Sequence, residues 1–247
     1  MCYYKNVLYG GLSVVGKLNL FTKIMNKFIK PVETEEDYLI DSNDEIKPLI
    51  IAFGGISGGI YQPVFEFKNF LQKTVDCHFI FVKDTNQCWY HKGAIGLGND
   101  IETVSHNLKN IINTINYSKV VTIGGSMGGF AALLFGSLLN VDGIISFSPQ
   151  TFIDKESRKL HGDDRWSKQL KYVHKNFNRI FFDLSNLKFN NIKVYSIYGK
   201  EDRLDKIHSE KLRSKGINIS SYSGGHNVVK TIRDNGELIK IINDCIF

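Results

Sequence analysis

Short runs of consecutive apolar residues, each closed by glycine or a polar turn, recur along this chain. Pro48-Leu49-Ile50-Ile51-Ala52-Phe53, Cys77 to Val82, Val120-Val121-Thr122-Ile123 and Gly143 to Phe147 are of this kind. Runs of this length, rich in β-branched residues, predict buried strands. Asn191 to Tyr198 alternates apolar and polar positions, and Ile217 to Tyr222 supplies the last strand. Between the runs lie segments with apolar residues at helical spacing. Asn99 to Asn116 places Ile101, Val104, Leu108, Ile111 and Ile112 on one face, and Val64 to Lys73 offers Phe65, Phe67, Phe70 and Leu71. Strands alternating with helices predict an α/β architecture, with a mostly parallel central sheet and helices on both faces.

At 247 residues the chain is long enough to bury one sizeable core. Residues 46–247 carry that pattern and are expected to form the domain. Residues 1–45 form an N-terminal segment, read as a helix and an edge strand. Within it, Val7 to Phe28 is apolar but interrupted by Lys17, Lys23 and Lys27, which leaves no unbroken run of membrane-spanning length. No clean signal-peptide order precedes a small-residue cleavage site. Leu18 to Lys30 reads as an amphipathic helix with a basic face. Packing against the domain is the favoured reading, and peripheral contact with a membrane surface stays open. Residues 149–188 are rich in charge and read as a small cap inserted between two strands. Its basic residues read first as the wet face of two helices, with an anionic substrate as the alternative.

Composition adds constraints. Hydrophobic content of 43%, charged content of 23% and a net charge of +6 describe a soluble globular protein with a mild positive balance. There is no nucleic-acid signature. Cys2, Cys77, Cys88 and Cys245 lack metal-ligand spacing, and a chain of this size needs no disulfide staple. A reducing, cytoplasmic setting follows, with no metal and no cofactor expected.

The candidate chemistry centres on Val120 to Ala132. A β-branched strand turns through Gly124-Gly125-Ser126-Met127-Gly128 into the apolar Phe130-Ala131-Ala132-Leu133-Leu134-Phe135. Strand, G-x-S-x-G and helix in that order make a nucleophile elbow, a turn so tight that side chains two before and two after the serine would collide. The motif alone also fits a phosphate-binding turn. The loop after Phe53, Gly54-Gly55-Ile56-Ser57-Gly58-Gly59, is no P-loop, since no Gly-Lys-Ser/Thr follows, and it lacks the G-x-G-x-x-G spacing of a dinucleotide fold. Two later residues complete a triad. Asp202 follows the Asn191 to Tyr198 strand, and His226 lies in a glycine-rich loop after the last strand. Ser126, Asp202 and His226 run in the order this chemistry uses. In this reading His226 takes the Ser126 proton, Asp202 fixes the imidazole tautomer, and the backbone N–H groups of Met127 and Gly55 hold the oxyanion. Glu201 and Asp205 are rival acids, and His208 is a rival base. Lys83 to Gly93 leaves the carboxyl end of a strand, where open α/β sheets place ligands. Trp89 and Tyr90 there are candidate pocket residues for a sugar or acyl group, or else cover the core.

On these motifs, from about Ile46 onward, the chain resembles the α/β-hydrolase superfamily. The resemblance implies that fold and an acyl-enzyme mechanism. The usual His-Gly oxyanion motif is replaced by Phe53-Gly54-Gly55, which leaves the second donor open. The Lys83-Asp84-Thr85-Asn86 and Trp89-Tyr90 loop, with a Ser-Met-Gly-Gly elbow, is similar to hydrolase-like bacterial proteins of surface-glycan and glycoprotein modification, including those of accessory secretion systems. That similarity implies O-acyl chemistry on carbohydrate. The expected function is therefore a serine esterase, or an acyltransferase, acting on a short acyl ester of a carbohydrate or other polar alcohol. A thioesterase with the same triad and a non-catalytic binding protein are the alternatives.

Overall fold

A computed structural model describes residues 36–56 and 63–247. The helix expected at Leu18 to Lys30 lies outside the described residues, as do Ser57, Gly58 and Gly59. Seven strands form one open sheet: β1 (Tyr38–Asp41), β2 (Lys47–Phe53), β3 (His78–Val82), β4 (Tyr117–Gly125), β5 (Gly143–Phe147), β6 (Lys193–Gly199) and β7 (Asn218–Tyr222). The spatial order is β1-β3-β2-β4-β5-β6-β7. Among the described strands only β1 runs antiparallel, against β3; the other pairs are parallel. Parallel neighbours need crossovers, which here carry α1 (Lys68–Thr74), α2 (Ile101–Ile112), α3 (Met127–Leu139) and α6 (Arg203–Glu210). The last strand is followed by α7 (Val228–Asp234) and α8 (Glu237–Ile246).

Both faces of the sheet are covered, because side chains alternate along each strand. On β2, Leu49, Ile51 and Phe53 join a core with Val104, Leu108, Phe130 and Leu134, while Ile50 and Ala52 join a second core with Val228, Ile232, Leu238 and Ile242. This explains why the central strands read as unbroken apolar runs rather than alternating ones. The central helix α3 is buried from Met127 through Gly136, which accounts for its lack of a polar face.

Helix boundaries follow local chemistry. Asp100 caps α2 in a reciprocal box with Thr103, so the helix starts at Ile101 rather than at Asn99. Helix α1 begins later than the apolar pattern suggests, since Phe67 sits in the left-handed region (φ 63) just before it. Between β5 and β6 the chain makes two short helices, α4 (Lys155–His161) and α5 (Ser167–Asn176). They occupy the interval in which a small cap is expected. Among the described residues no helix is long and apolar enough to cross a membrane.

Candidate active site

The parallel register brings the carboxyl ends of β2, β4 and β5 together. Phe53 pairs with Gly124, and Gly124 and Gly125 pair with Ser146 and Phe147. Ser126 follows directly, with φ 56 and ψ −118. A non-glycine residue there is strained and must be held by its surroundings. Its N–H donates to the Phe147 carbonyl at 2.8 Å, and its own carbonyl accepts from Phe130 N–H. The flanking glycines are sterically required. A Cβ at Gly124 would overlap the Gly128 carbonyl, and one at Gly128 would overlap the Phe53 carbonyl. The G-x-S-x-G spacing is thus the condition for β4, α3 and the end of β2 to meet.

His226 arrives from the loop after β7. Gly199, at the end of β6, lets that loop close in: a Cβ there would overlap the carbonyls of Gly224 and Gly225. Glu201 clasps the same loop. Its carboxylate accepts the Gly224 N–H, and its own N–H donates to the Gly224 carbonyl at 3.2 Å. Glu201 therefore anchors the histidine loop and does not touch the imidazole. His226 Nε2 lies 2.9 Å from Ser126 Oγ.

The carboxylate on the other side of the ring is Asp205, with Oδ2 2.7 Å from His226 Nδ1. This corrects the expectation for Asp202. Asp202 is the N-cap of α6, and its Oδ1 accepts from the N–H groups of Leu204 and Asp205 at 2.9 Å each. Those bonds turn its carboxylate toward its own helix. Asp205 lies one turn further on, where side chains lean back toward the helix N-terminus and so toward the sheet edge. It is fully buried. Burial pushes its carboxyl up, but hydrogen bonds from His226 and Arg165 outweigh that, leaving it below the usual carboxylate range. A carboxylate only accepts, so the proton on His226 sits on Nδ1 and Nε2 is free to accept from the Ser126 hydroxyl.

Behind Asp205 lies a network that the sequence pattern did not reveal. Arg165 Nη1 donates to Asp205 Oδ1 at 2.8 Å, while its Nε and Nη2 grip Asp163 at 3.1 Å each. Asp163 also accepts from His208 Nε2 at 3.0 Å. His208 is buried and stacks on Phe152 with ring centroids 3.9 Å apart, so it is no base for Ser126. The α4–α5 interval is thus tied directly to Asp205.

A cavity of about 580 Å³ opens at Ser126 and His226. Its apolar wall includes Phe65, Phe67, Phe147 and Trp166. Trp89 and Tyr90 are not on it. Both are 0% exposed, which corrects their expected place in the pocket. Asp84 accepts their loop's Cys88 and Tyr90 N–H groups at 2.8 Å each, pulling the aromatics inward. Trp89 Nε1 donates to Gln150, and the Tyr90 hydroxyl donates to the Gly54 carbonyl at 2.9 Å. Tyr90 also packs edge-on against Phe53 and Phe135. It therefore supports the Gly54-Gly55 loop from beneath.

Gly55 and Ser126 line the same cavity. Met127, the first residue of α3, has an N–H with no intrahelical acceptor. Glu66 lies against Gly55: a Cβ built there would come within 3.3 Å of the Glu66 carboxyl. Burial pushes that carboxyl up to about 7, against the pull of the Gly55 N–H.

No protein-family model and no curated protein matches the sequence. Solved structures do match. The capsule O-acetyltransferase of Neisseria meningitidis serogroup A superposes with a TM-score of 0.57 at 20% identity, over 82% of this chain and 90% of that one. An α/β-hydrolase from the metagenome of sediments of the Mar Chica lagoon, Morocco, gives 0.52 at 15% identity, over 85% and 97%. A lipase-esterase related protein from Clostridium acetobutylicum gives 0.52 at 16%, over 85% and 99%. The chain has the α/β-hydrolase fold. Its elbow serine, loop histidine and buried aspartate sit where an α/β-hydrolase sheet ends.

Proposed function

We propose that this α/β-hydrolase is a serine esterase or acyltransferase that acts through an acyl-enzyme on Ser126. The observation that carries the reading is the continuous chain from Ser126 Oγ to His226 to Asp205 on a strained elbow. A serine hydroxyl is a poor nucleophile at neutral pH and needs a base within hydrogen-bond reach. Ser126 Oγ attacks the ester carbonyl carbon as its proton passes to His226 Nε2. Asp205 stabilises the imidazolium. The carbonyl oxygen becomes an oxyanion facing the N–H groups of Met127 and Gly55. For Gly55 to serve, its N–H must turn from the Glu66 carboxyl to the substrate oxygen. The tetrahedral species then collapses and the C–O bond breaks. His226 gives the proton to the departing alcohol, which leaves the acyl group on Ser126. A second hydroxyl, from water or an acceptor alcohol, is deprotonated by His226 and releases the acyl group.

A short acyl group on a carbohydrate or other polar alcohol is the substrate class we favour. Its support is the likeness to a capsule O-acetyltransferase. Transfer rather than hydrolysis is the second reading, favoured because that neighbour has been solved in complex with CoA. A fluorophosphonate probe tests the nucleophile: it should label the wild-type chain and not Ser126→Ala. Thiol release from acetyl-CoA, with and without a sugar acceptor, separates transfer from hydrolysis.

A further inference from the structure

A second cavity, of about 510 Å³, lies between α4 and α5. Cations line it. Helix α4 contributes Lys155 and Arg158, the latter already paired with Asp163 at 3.4 Å, and α5 contributes Lys171, His174 and Lys175 on one face. Among the described residues no acidic side chain lines it. From Arg165 to Phe182 the chain has no Asp or Glu. Of the five cations in that stretch, Arg165 and Arg179 pair with acids outside it, and Lys168, Lys171 and Lys175 pair with none among the described residues. Lys155, Lys171 and Lys175 are exposed and make no ion pair among the described residues. Like charges at Lys171 and Lys175, one turn apart, repel each other and weaken the helix. Buried Leu170 gives this face an apolar floor. The groove adjoins the Ser126 cavity along the chain, since Trp166 lines one and Ser167 lines the other. Arg165, the residue before Trp166, holds Asp205.

We propose that the groove between α4 and α5 is a subsite for an anionic group, phosphate, sulfate or carboxylate, carried on an extended glycan whose esterified unit lies at Ser126. The proposal rests on the acyl-ester reading of Ser126 and names the substrate class for that site: a polyanionic rather than a neutral glycan. A groove flanked by two helices, with Ser167 on its wall next in the chain to Trp166 of the Ser126 cavity, fits an extended polymer. A flat anionic bilayer would meet only its rim.

The test compares binding of fluorescein-labelled dextran sulfate and neutral dextran by anisotropy. Lys155→Gln/Lys171→Gln/Lys175→Gln removes the groove's lysines. Lys73→Gln/Lys109→Gln/Lys240→Gln removes the same charge from exposed sites on other helices. Lysine and glutamine have similar helix propensity, so both proteins should fold. The wild type should bind dextran sulfate and not dextran, and added salt should weaken binding. The groove variant should lose at least about tenfold in affinity and the matched variant less than about threefold. Equal losses in the two variants would overturn the proposal, because net charge alone would then explain binding. So would release from phosphatidylglycerol vesicles by the groove substitutions with dextran sulfate binding intact, which would make the face a membrane contact. Fluorophosphonate labelling of the wild type is measured separately. Labelling without groove-dependent polymer binding refutes the subsite alone, and groove-dependent binding without labelling refutes the catalytic reading.

Discussion

Replacing Asp205 by asparagine should cost far more activity than its size suggests, because Arg165 dictates which way the amide faces. In the wild type the two carboxylate oxygens are divided, with Oδ2 on His226 Nδ1 at 2.7 Å and Oδ1 on Arg165 Nη1 at 2.8 Å. Asparagine keeps one acceptor and gains a donor. A guanidinium always donates, so the amide oxygen must turn to Arg165 and the NH₂ group to His226. The ring then meets a donor at Nδ1 and takes the tautomer with its proton on Nε2, which cannot accept from Ser126. In triads of this kind the wrong tautomer costs about 10⁴ in kcat, or roughly 5 kcal/mol. Asp202→Asn leaves a side-chain oxygen for the Leu204 and Asp205 N–H groups and should change kcat by less than about threefold. Nitrophenyl acetate hydrolysis reads both. A third protein, Asp205→Asn/Arg165→Met, isolates the cause. With the guanidinium gone, the amide oxygen can face His226, and kcat should rise at least about tenfold over Asp205→Asn alone. A double variant no faster than the single one would refute the orientation argument. A larger loss in Asp202→Asn than in Asp205→Asn would return the acid role to Asp202.

Other consequences are checked more simply. Ser126→Ala should abolish hydrolysis with an unchanged melting temperature, and an alanine variant with most of the wild-type turnover would remove the nucleophile assignment. Trp89→Ala should destabilise the fold by roughly 3–5 kcal/mol in urea titration, since it empties a fully buried site and strands Gln150; a change below about 1 kcal/mol would place Trp89 outside the core. For Glu66, whose carboxyl is raised from an ordinary 4.5 to about 7, the folded state favours the neutral form, so its contribution to stability falls as pH rises between those values. Glu66→Gln should therefore melt close to the wild type at pH 5 and above it at pH 8, and the opposite order would show that the carboxylate is stabilised by its surroundings.

The sheet was legible because its central strands are buried on both faces and so read as continuous apolar runs. β5 spans Gly143–Phe147 as expected, and β2 gains only Lys47. Helix ends were less so, because they depend on single side chains. Asp100 with Thr103 sets the start of α2, and the left-handed Phe67 delays α1. Ser126 was visible in sequence for a steric reason: the glycines two before and two after it are required by backbone overlaps, so the constraint is written in residue identity. Beside His226 the glycine signal is conformational, since Gly224 takes φ 116. The Trp89 and Tyr90 loop is the counterexample. It leaves the ligand-facing end of β3, and aromatic residues there suggest contact with substrate. The turn is closed instead by a buried carboxylate, Asp84, and the aromatics are drawn under the sheet edge.

The acid shows where strand-end reasoning stops and helix reasoning takes over. A carboxylate just past β6 looks placed to meet His226, and Asp202 is the nearest one apart from Glu201. But the first residue before a helix is where aspartate is most useful to the backbone, and an Asp there is consumed by N–H groups two and three residues on. Asp202-Arg203-Leu204-Asp205 contains both parts in four residues. Once Asp202 is recognised as the cap, α6 must start at Arg203, and Asp205 falls in its first turn with its side chain leaning back toward the helix start. The capping preference thus leaves only Asp205 of the pair free for the imidazole. What no local pattern supplies is Arg165, 40 residues earlier in the chain, which fills the second oxygen and fixes the carboxylate's orientation. Its role depends on how the α4–α5 interval lies against the start of α6, and that is a property of tertiary packing.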